Sequence, residues 1–314
     1  VEKNLDWVIS TRRHLHEYPE LSEEEFNTQK YIIDFLESYN IEYEKIANTG
    51  IYACIRNGKG RKLAFRADMD ALPLVEDNNL EFKSKNKGVM HACGHDVHMA
   101  VQMGVIKSLV ENKDLWKGEA HFFFQPAEET VGGAKRMLNE GANREKIDNL
   151  ISFHSAPEIK AGKIGVKYDK LHATSMVFTM DILGKATHGA LPFNGIDSIV
   201  VGAKVVDYIQ TIVSRRIDAR DCAVITVGKF EAGTAENIVA EKATLTGTVR
   251  TLTQDMKQYI WNIFKTDLKK FVESFGAKLE LHIRDSYAPV INNKEFTDFL
   301  YKNAVDILGK DNIE

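Results

Sequence analysis

Met90–His98 reads Met-His-Ala-Cys-Gly-His-Asp-Val-His and puts one thiol, three imidazoles and a carboxylate into nine residues. Cys93 and His95 flank a single glycine, a spacing that lets both side chains reach one ion from a loop. Thiolate and neutral imidazole are good ligands for zinc-like divalent metals, and Gly94 removes bulk that would hinder them. Taken alone, the stretch is equally readable as a histidine-rich helix start with a buried cysteine.

Three further segments share one geometry, a short apolar run followed at once by polar residues. Lys62–Phe65 leads into Arg66, Asp68 and Asp70, His121–Phe124 leads into Gln125, Glu128 and Glu129, and Leu150–Phe153 leads into His154. In open α/β sheets the binding crevice lies beyond the carboxyl ends of the strands, so these groups are expected at one edge. A metal site could then draw on Cys93, His95, His154 and one of the two glutamates. The other glutamate could take a proton from water, whose pKa a bound ion lowers towards about 7. Asp68 or Asp70 would orient a ligand imidazole. The chemistry so assembled is metal-assisted hydrolysis.

The elements that must position these groups come in two styles. Up to about Asp169, strand-like runs alternate with amphipathic helical ones, as in an α/β domain. Helices are expected over Leu5–Leu15, Ser22–Tyr39 and His95–Val110, the second with Ser22 as N-cap and an acidic first turn. Strands are expected at Ile51–Ile55 and at the three runs above. From Ala173 to Tyr287 the order becomes strand (Ser175–Leu183), helix (Ile196–Val213), strands (Ala223–Phe230, Lys242–Arg250), helix (Asp255–Phe275), strand (Lys278–Ile283). That is a β-α-β-β-α-β unit of ferredoxin-like type, compact enough to be an insertion.

Composition narrows the function classes. The 314 residues suffice for two domains, and 44% hydrophobic with 27% charged residues is ordinary for a globular protein. A net charge of −4 without a basic run argues against nucleic acid or an anionic membrane as the main partner. No apolar run approaches a membrane span, and no signal pattern opens the chain. Cys54, Cys93 and Cys222 are too few and too scattered for a disulfide framework, which points to a reducing cytoplasm. Gly58-Lys-Gly60 is too short for a phosphate loop, so no nucleotide cofactor is expected.

Four ordered motifs carry a family resemblance that runs almost end to end. Residues 12–22 (Arg-Arg-His-Leu-His-Glu-Tyr-Pro-Glu-Leu-Ser), 66–73 (Arg-Ala-Asp-Met-Asp-Ala-Leu-Pro), 91–96 and 125–129 (Gln-Pro-Ala-Glu-Glu) resemble the amidohydrolase branch of the M20 metallopeptidases. The resemblance implies a mixed-sheet, two-metal α/β catalytic domain over 1–172, an inserted ferredoxin-like lid or dimerisation domain over 173–287, and a return to the catalytic domain over 288–314. It implies Cys93, His95, Glu129 and His154 as metal ligands, Glu128 as general base and Asp68 as supporting carboxylate. In the lid it implies His188 as the donor to the tetrahedral oxyanion, often of the partner subunit's site, with Asn237 and Arg250 binding the substrate carboxylate. Two divalent ions are implied, zinc or manganese, with cobalt or nickel as alternatives. The implied substrate is an N-acyl amino acid, and a dipeptide presents the same scissile amide. A homodimer through the lid is implied as well.

His14 and His16 fall in the first motif and are expected to pack near the site without binding metal, and His98, one turn beyond His95, to support it. His91 flanks the cluster, whereas His121, His172 and His282 lack a ligand-like context, and Cys54 and Cys222 read as core residues. The resemblance also places a further metal-ligand histidine past a helix like Lys294–Leu308 and beyond Glu314. The expectation is that without it the second ion is weakly held and this form is metal-poor and inactive. The rivals are a dipeptidase or carboxypeptidase using the same groups, and a non-catalytic metal-binding or dimerisation protein.

Overall fold

The computed structural model describes residues 2–130, 132–285 and 287–314. The chain divides into two compact units, Val1–Lys160 and Ala161–Glu314.

The first unit runs α1 (Leu5–Glu17), α2 (Phe26–Ser38), β1 (Glu42–Ile46), β2 (Gly50–Asn57), β3 (Lys62–Asp68), α3 (His95–Glu111), β4 (Gly118–Gln125), α4 (Gly133–Asn139) and β5 (Asn149–Ser152). Its sheet has the order β1-β2-β4-β3-β5. β1, β2 and β4 pair antiparallel, while β3 lies parallel to both β4 and β5. Side chains alternate across a strand, so consecutive apolar residues in β4 must feed two cores. Phe122 and Phe124 pack with Ile32, Leu36, Met99, Met103 and Ile106 on the face covered by the long helices. Phe123 joins Tyr52, Cys54, Ala64 and Met137 on the other. Because both faces are covered, the strands read as unbroken apolar runs rather than alternating ones.

The second helix departs from expectation. It begins at Phe26 rather than Ser22, and Ser22 is not its cap. The Ser22 hydroxyl instead donates to Asp70 Oδ2 at 2.6 Å. The helix N-terminus is served from outside by Glu20, whose carboxylate accepts from the Asn27 and Thr28 amides at 3.1 and 2.8 Å. A tertiary partner for the serine overrides the local capping preference.

The second unit runs β6 (Asp169–His172), β7 (Met176–Leu183), β8 (Thr187–His188), α5 (Ser198–Arg216), β9 (Ala223–Ala232), β10 (Ile238–Val239), β11 (Lys242–Thr251), α6 (Gln254–Ile263), α7 (Lys269–Glu273), β12 (Lys278–Asp285), β13 (Val290–Asn292) and α8 (Lys294–Leu308). Its four-stranded sheet has the order β12-β7-β11-β9, every pairing antiparallel. The inward residues Phe178, Met180, Ile182, Leu245 and Val249 meet Val205, Ile209, Ile260, Phe264 and Leu268. Asp197 caps α5 by accepting from the Ile199 amide at 2.9 Å, and Thr253 caps α6. The helix expected over Asp255–Phe275 is interrupted by a π turn at Phe264–Leu268, which keeps both of those residues buried in the core. Among the described residues no helix is long and apolar enough to cross a membrane.

Candidate active site

Parallel pairing aligns the ends of β3, β4 and β5. Asp68 is opposite Gln125 on β4, and Arg66 is opposite Ser152 on β5. The residues that follow each strand therefore emerge side by side, and the head of α3 meets them. That geometry brings Asp68, Asp70, Glu128, Glu129 and His154 to Cys93 and His95.

Gly94 makes the meeting possible. It takes φ +82° as the residue before α3, in the left-handed region, and a Cβ there would lie 2.2 Å from Ser155 Oγ. That hydroxyl donates to the Cys93 carbonyl at 3.0 Å, stapling the His154 loop to the Cys93 loop. Gly94→Ala combines a left-handed alanine, a cost of about 1–2 kcal/mol, with this clash. The thermal midpoint should fall by several degrees, and adding Ser155→Ala should recover part of the loss. An unchanged midpoint in the single variant would refute the packing argument.

The histidines are fixed by what accepts from them. His95 Nδ1 lies 2.8 Å from the Asp70 carbonyl, which can only accept, so Nδ1 carries the proton. The lone pair of the neutral ring is then on Nε2, which is buried and has no hydrogen-bond partner among the described residues. Around Nε2 stand Asp68 Oδ2 at 3.6 Å and Glu129 Oε1 at 3.8 Å, the latter also buried and without a hydrogen-bond partner. Cys93 Sγ and His154 Nε2 are 3.5 Å apart. Donor atoms of Cys93, His95 and His154 lie within 4.8 Å of one another, as do those of His95, Glu128 and Glu129. Ligands at zinc–nitrogen and zinc–sulfur bond lengths of about 2.0–2.3 Å are separated by roughly 3.3–3.8 Å in a tetrahedron. The donor set and its spacing fit a divalent ion, with His95 common to both groups.

Charge at the site follows the same logic. Burial disfavours a charged His95 ring, but its bond to Asp70, the Cys93 sulfur and the carboxylates Asp68 and Asp70 outweigh that and raise it to about 11. This is a place built for positive charge. The Cys93 hydrogen bond raises His154 to about 9, and His154 and His95 together lower the Cys93 thiol. Burial raises Glu128, reinforced by the negative charges of Glu129 and Asp68. A carboxylate raised in this way is suited to exchanging a proton near neutral pH.

Asp68 is buried yet stays ionised: His98 Nδ1–H donates to its Oδ1 at 2.5 Å, and Arg66 Nη1 is 2.7 Å from its Oδ2. Despite the burial penalty, the bond to His98 and the charge of Arg66 hold the carboxyl well below the usual range. His98 Nε2 in turn accepts from the Ser155 amide at 2.9 Å, so this ring braces two loops. Arg66 itself donates from Nε to Gln125 Oε1 at 2.9 Å. The carboxylate of Asp70 accepts from Ser22 and from the Glu129 amide at 2.9 Å, which fixes the backbone of the glutamate pair. From sequence, Arg66 and Gln125 are expected at this edge without an assigned role, while Ser22 reads as a helix cap and Ser155 carries no signal. A signal existed for Arg66, two residues before Asp68 on one strand and so on the same face.

Other residues lie elsewhere. His121, first read without a ligand-like context, sits beside Cys54 and Glu119 on β2 and β4. There Tyr52 Oη lies 2.8 Å from its Nδ1, and Lys62 pairs with Glu119 at 3.0 Å. His282 lies beside Asp181 and Glu280, which pair with Lys242 and Lys278. In the second unit the β8–β10 ladder brings His188 opposite Ile238, next to Asn237, whose carbonyl accepts from the Gly189 amide at 2.8 Å. His188 Nδ1 accepts from the Ala190 amide at 3.1 Å, leaving the proton of the neutral ring on Nε2. Arg250, exposed, pairs with Val224 at the far end of β11 from Lys242, which faces Leu183 just before β8. At about 3.3 Å per residue the two ends of that strand are roughly 26 Å apart.

Comparison with known proteins agrees with this architecture. An N-acyl-L-amino acid amidohydrolase of Geobacillus stearothermophilus is 40% identical over 291 residues, 92% of this chain and 78% of its own length. Thermostable carboxypeptidase 1 of Saccharolobus solfataricus is 37% identical over 303 residues, 95% of this chain and 77% of its own. A Bacillus subtilis structure described as a dinuclear metal binding peptidase from the M20 family superposes with a TM-score of 0.83 at 32% identity. It covers 98% of this chain and 81% of that one. The family model described as peptidase family M20/M25/M40 matches residues 64–314. With that match spanning both units, the chain belongs to peptidase family M20/M25/M40.

Proposed function

We propose that this chain is a metal-dependent hydrolase that cleaves the amide bond of N-acyl amino acids. The observation that carries the proposal is the convergence of unpartnered His95 Nε2 and Glu129 Oε1 with Asp68 and the Cys93–His154 pair, beside a glutamate whose pKa is raised. The amidohydrolase and dinuclear-peptidase relatives support it.

Cys93, His95, Glu129 and His154 would hold divalent metal. Two ions, zinc or manganese, with cobalt or nickel as alternatives, fit the mixed thiolate, imidazole and carboxylate donors. When bound, such ions polarise the scissile carbonyl and acidify water. Glu128 takes the proton from the attacking water and returns it to the nitrogen of the leaving amine, balancing the hydrolysis. Asp68, locked by His98 and Arg66, would be the supporting carboxylate, keeping a negative charge 3.6 Å from His95 Nε2 that favours a cation there. Residues 173–287, a ferredoxin-like lid and dimerisation domain in this reading, would supply His188 Nε2–H to the developing oxyanion. Asn237 and Arg250 would bind the substrate carboxylate, Arg250 through its planar fork. The same domain would form a homodimer. The cytoplasm is the setting we favour, its cysteines being unpaired.

The carboxypeptidase relative favours a second reading, in which peptides are the substrates of the same groups. A screen of N-acetyl amino acids, N-benzoyl amino acids and dipeptides against zinc- and manganese-loaded full-length protein separates the two. The N-acyl compounds should give the higher kcat/KM. Faster cleavage of dipeptides throughout would replace the amidohydrolase reading with the peptidase one.

A further inference from the structure

We infer that His16 is a positioning residue that sets the placement of the metal-binding groups from outside the site. Three parts of the chain meet at its ring, which is 3% exposed. Nδ1 lies 2.8 Å from Asp96 Oδ2 in the first turn of α3, and Nε2 lies 3.1 Å from Glu76 Oε1. Both partners are carboxylate oxygens, so both ring nitrogens donate and the ring is an imidazolium. Arg12 Nε stands 2.7 Å from the same oxygen of Asp96, so two buried carboxylates face two cations. The edge of His16 rests on Phe82 at 5.6 Å between ring centroids.

What this clamp holds is the connection between the two halves of the site. Residues 73–89 contain neither helix nor strand, yet they join Asp70, which orients His95, to Cys93. Leu72 and Met90 exchange amide-to-carbonyl bonds of 3.0 Å and pinch the base of this loop. Its interior is gathered by Glu76, which accepts from the Ser84 amide at 2.7 Å and from Asn78 at 3.2 Å. His16 ties that hub to Asp96, the residue directly after His95. Ser22 and the Glu129 amide hold Asp70, and Ser155 holds the Cys93 carbonyl, but the loop that joins them has only the Leu72–Met90 pair at its base. The buried bridge supplies a further restraint.

The inference rests on the metal reading proposed above, and its test is read by affinity rather than turnover. Zinc affinity of full-length protein is measured by competition with a chromophoric chelator for His16→Gln, Glu76→Gln and the double variant. Each single change should weaken zinc by about tenfold or more. The double variant should be no weaker than the worse single, because both cut one connection. The thiolate absorption of the cobalt-substituted protein should shift in each. Wild-type zinc affinity and an unshifted cobalt spectrum in both singles, with only the melting temperature lowered, would overturn the inference. If His16→Gln does not fold, Glu76→Gln decides alone, since it retains an acceptor for Ser84. Protein that binds zinc but cleaves no N-acyl amino acid overturns the functional proposal, while the affinities still decide the role of His16.

Discussion

Glu128→Ala is expected to lower kcat for N-acyl amino acid hydrolysis by about a hundredfold to ten-thousandfold, the usual worth of a positioned acid–base group. Metal content should stay unchanged. The size of the effect follows from the two proton transfers assigned to one carboxylate, first from water and then to the departing amine. The retention of metal follows from the donor count: Cys93, His95, Glu129 and His154 remain. Burial and the charges of Glu129 and Asp68 raise Glu128 and make it a better proton carrier than a solvated glutamate. Elemental analysis and steady-state kinetics on one preparation check both halves. Undiminished turnover would remove Glu128 from the mechanism. Loss of metal together with turnover would make it a ligand instead. If no substrate is cleaved even by the metal-loaded wild type, the non-catalytic reading gains.

His95→Ala is expected to weaken metal binding by more than about a hundredfold. Partners behind a ligand typically account for ten- to a hundredfold in affinity, and the loss of a ligand itself should exceed that. His95 is the donor common to the Cys93–His154 group and the Glu128–Glu129 group, so its removal takes one corner from each. Alanine also removes the ring that stands 3.6 Å from the buried carboxylate of Asp68 and 3.4 Å from that of Asp70. A chelator-competition titration reads the affinity, and His154→Ala serves as comparison. His154 is more exposed and belongs only to the first group, so its loss should cost less. Equal and small losses in the two variants would mean that His95 is not shared.

How far the sequence carries can be judged residue by residue. The Cys93-Gly94-His95 spacing and the three strand ends were legible because they depend on local pattern: an apolar run, then polar groups at its carboxyl end. Parallel pairing does the rest, and the register of Asp68 with Gln125 turns distant segments into neighbours. The β-α-β-β-α-β order of the second unit was legible for the same reason, its inward residues alternating cleanly along β7 and β11.

What escaped was set by tertiary partners. Ser22 looks like a helix cap, but Asp70 claims its hydroxyl. β1, Glu-Tyr-Glu-Lys-Ile, is a largely exposed edge strand without an apolar signature. The π turn at Phe264–Leu268 answers to core packing rather than to any local breaker in the sequence. Arg66 and Ser155 act through partners 59 and 57–62 residues away, in Gln125, His98 and Cys93. Glu76 sits in a stretch with no periodicity at all, and the His16 ring, the Ser84 amide and Asn78 together give it a place.

The central claim is that the groups gathered at the ends of β3, β4 and β5 hydrolyse amides with the help of a metal. The most direct test measures N-acetyl amino acid hydrolysis by full-length protein before chelation, after it, and after zinc or manganese is returned. The rate should vanish with the metal and recover in proportion to the ions rebound. An undiminished rate in metal-free protein would contradict the claim.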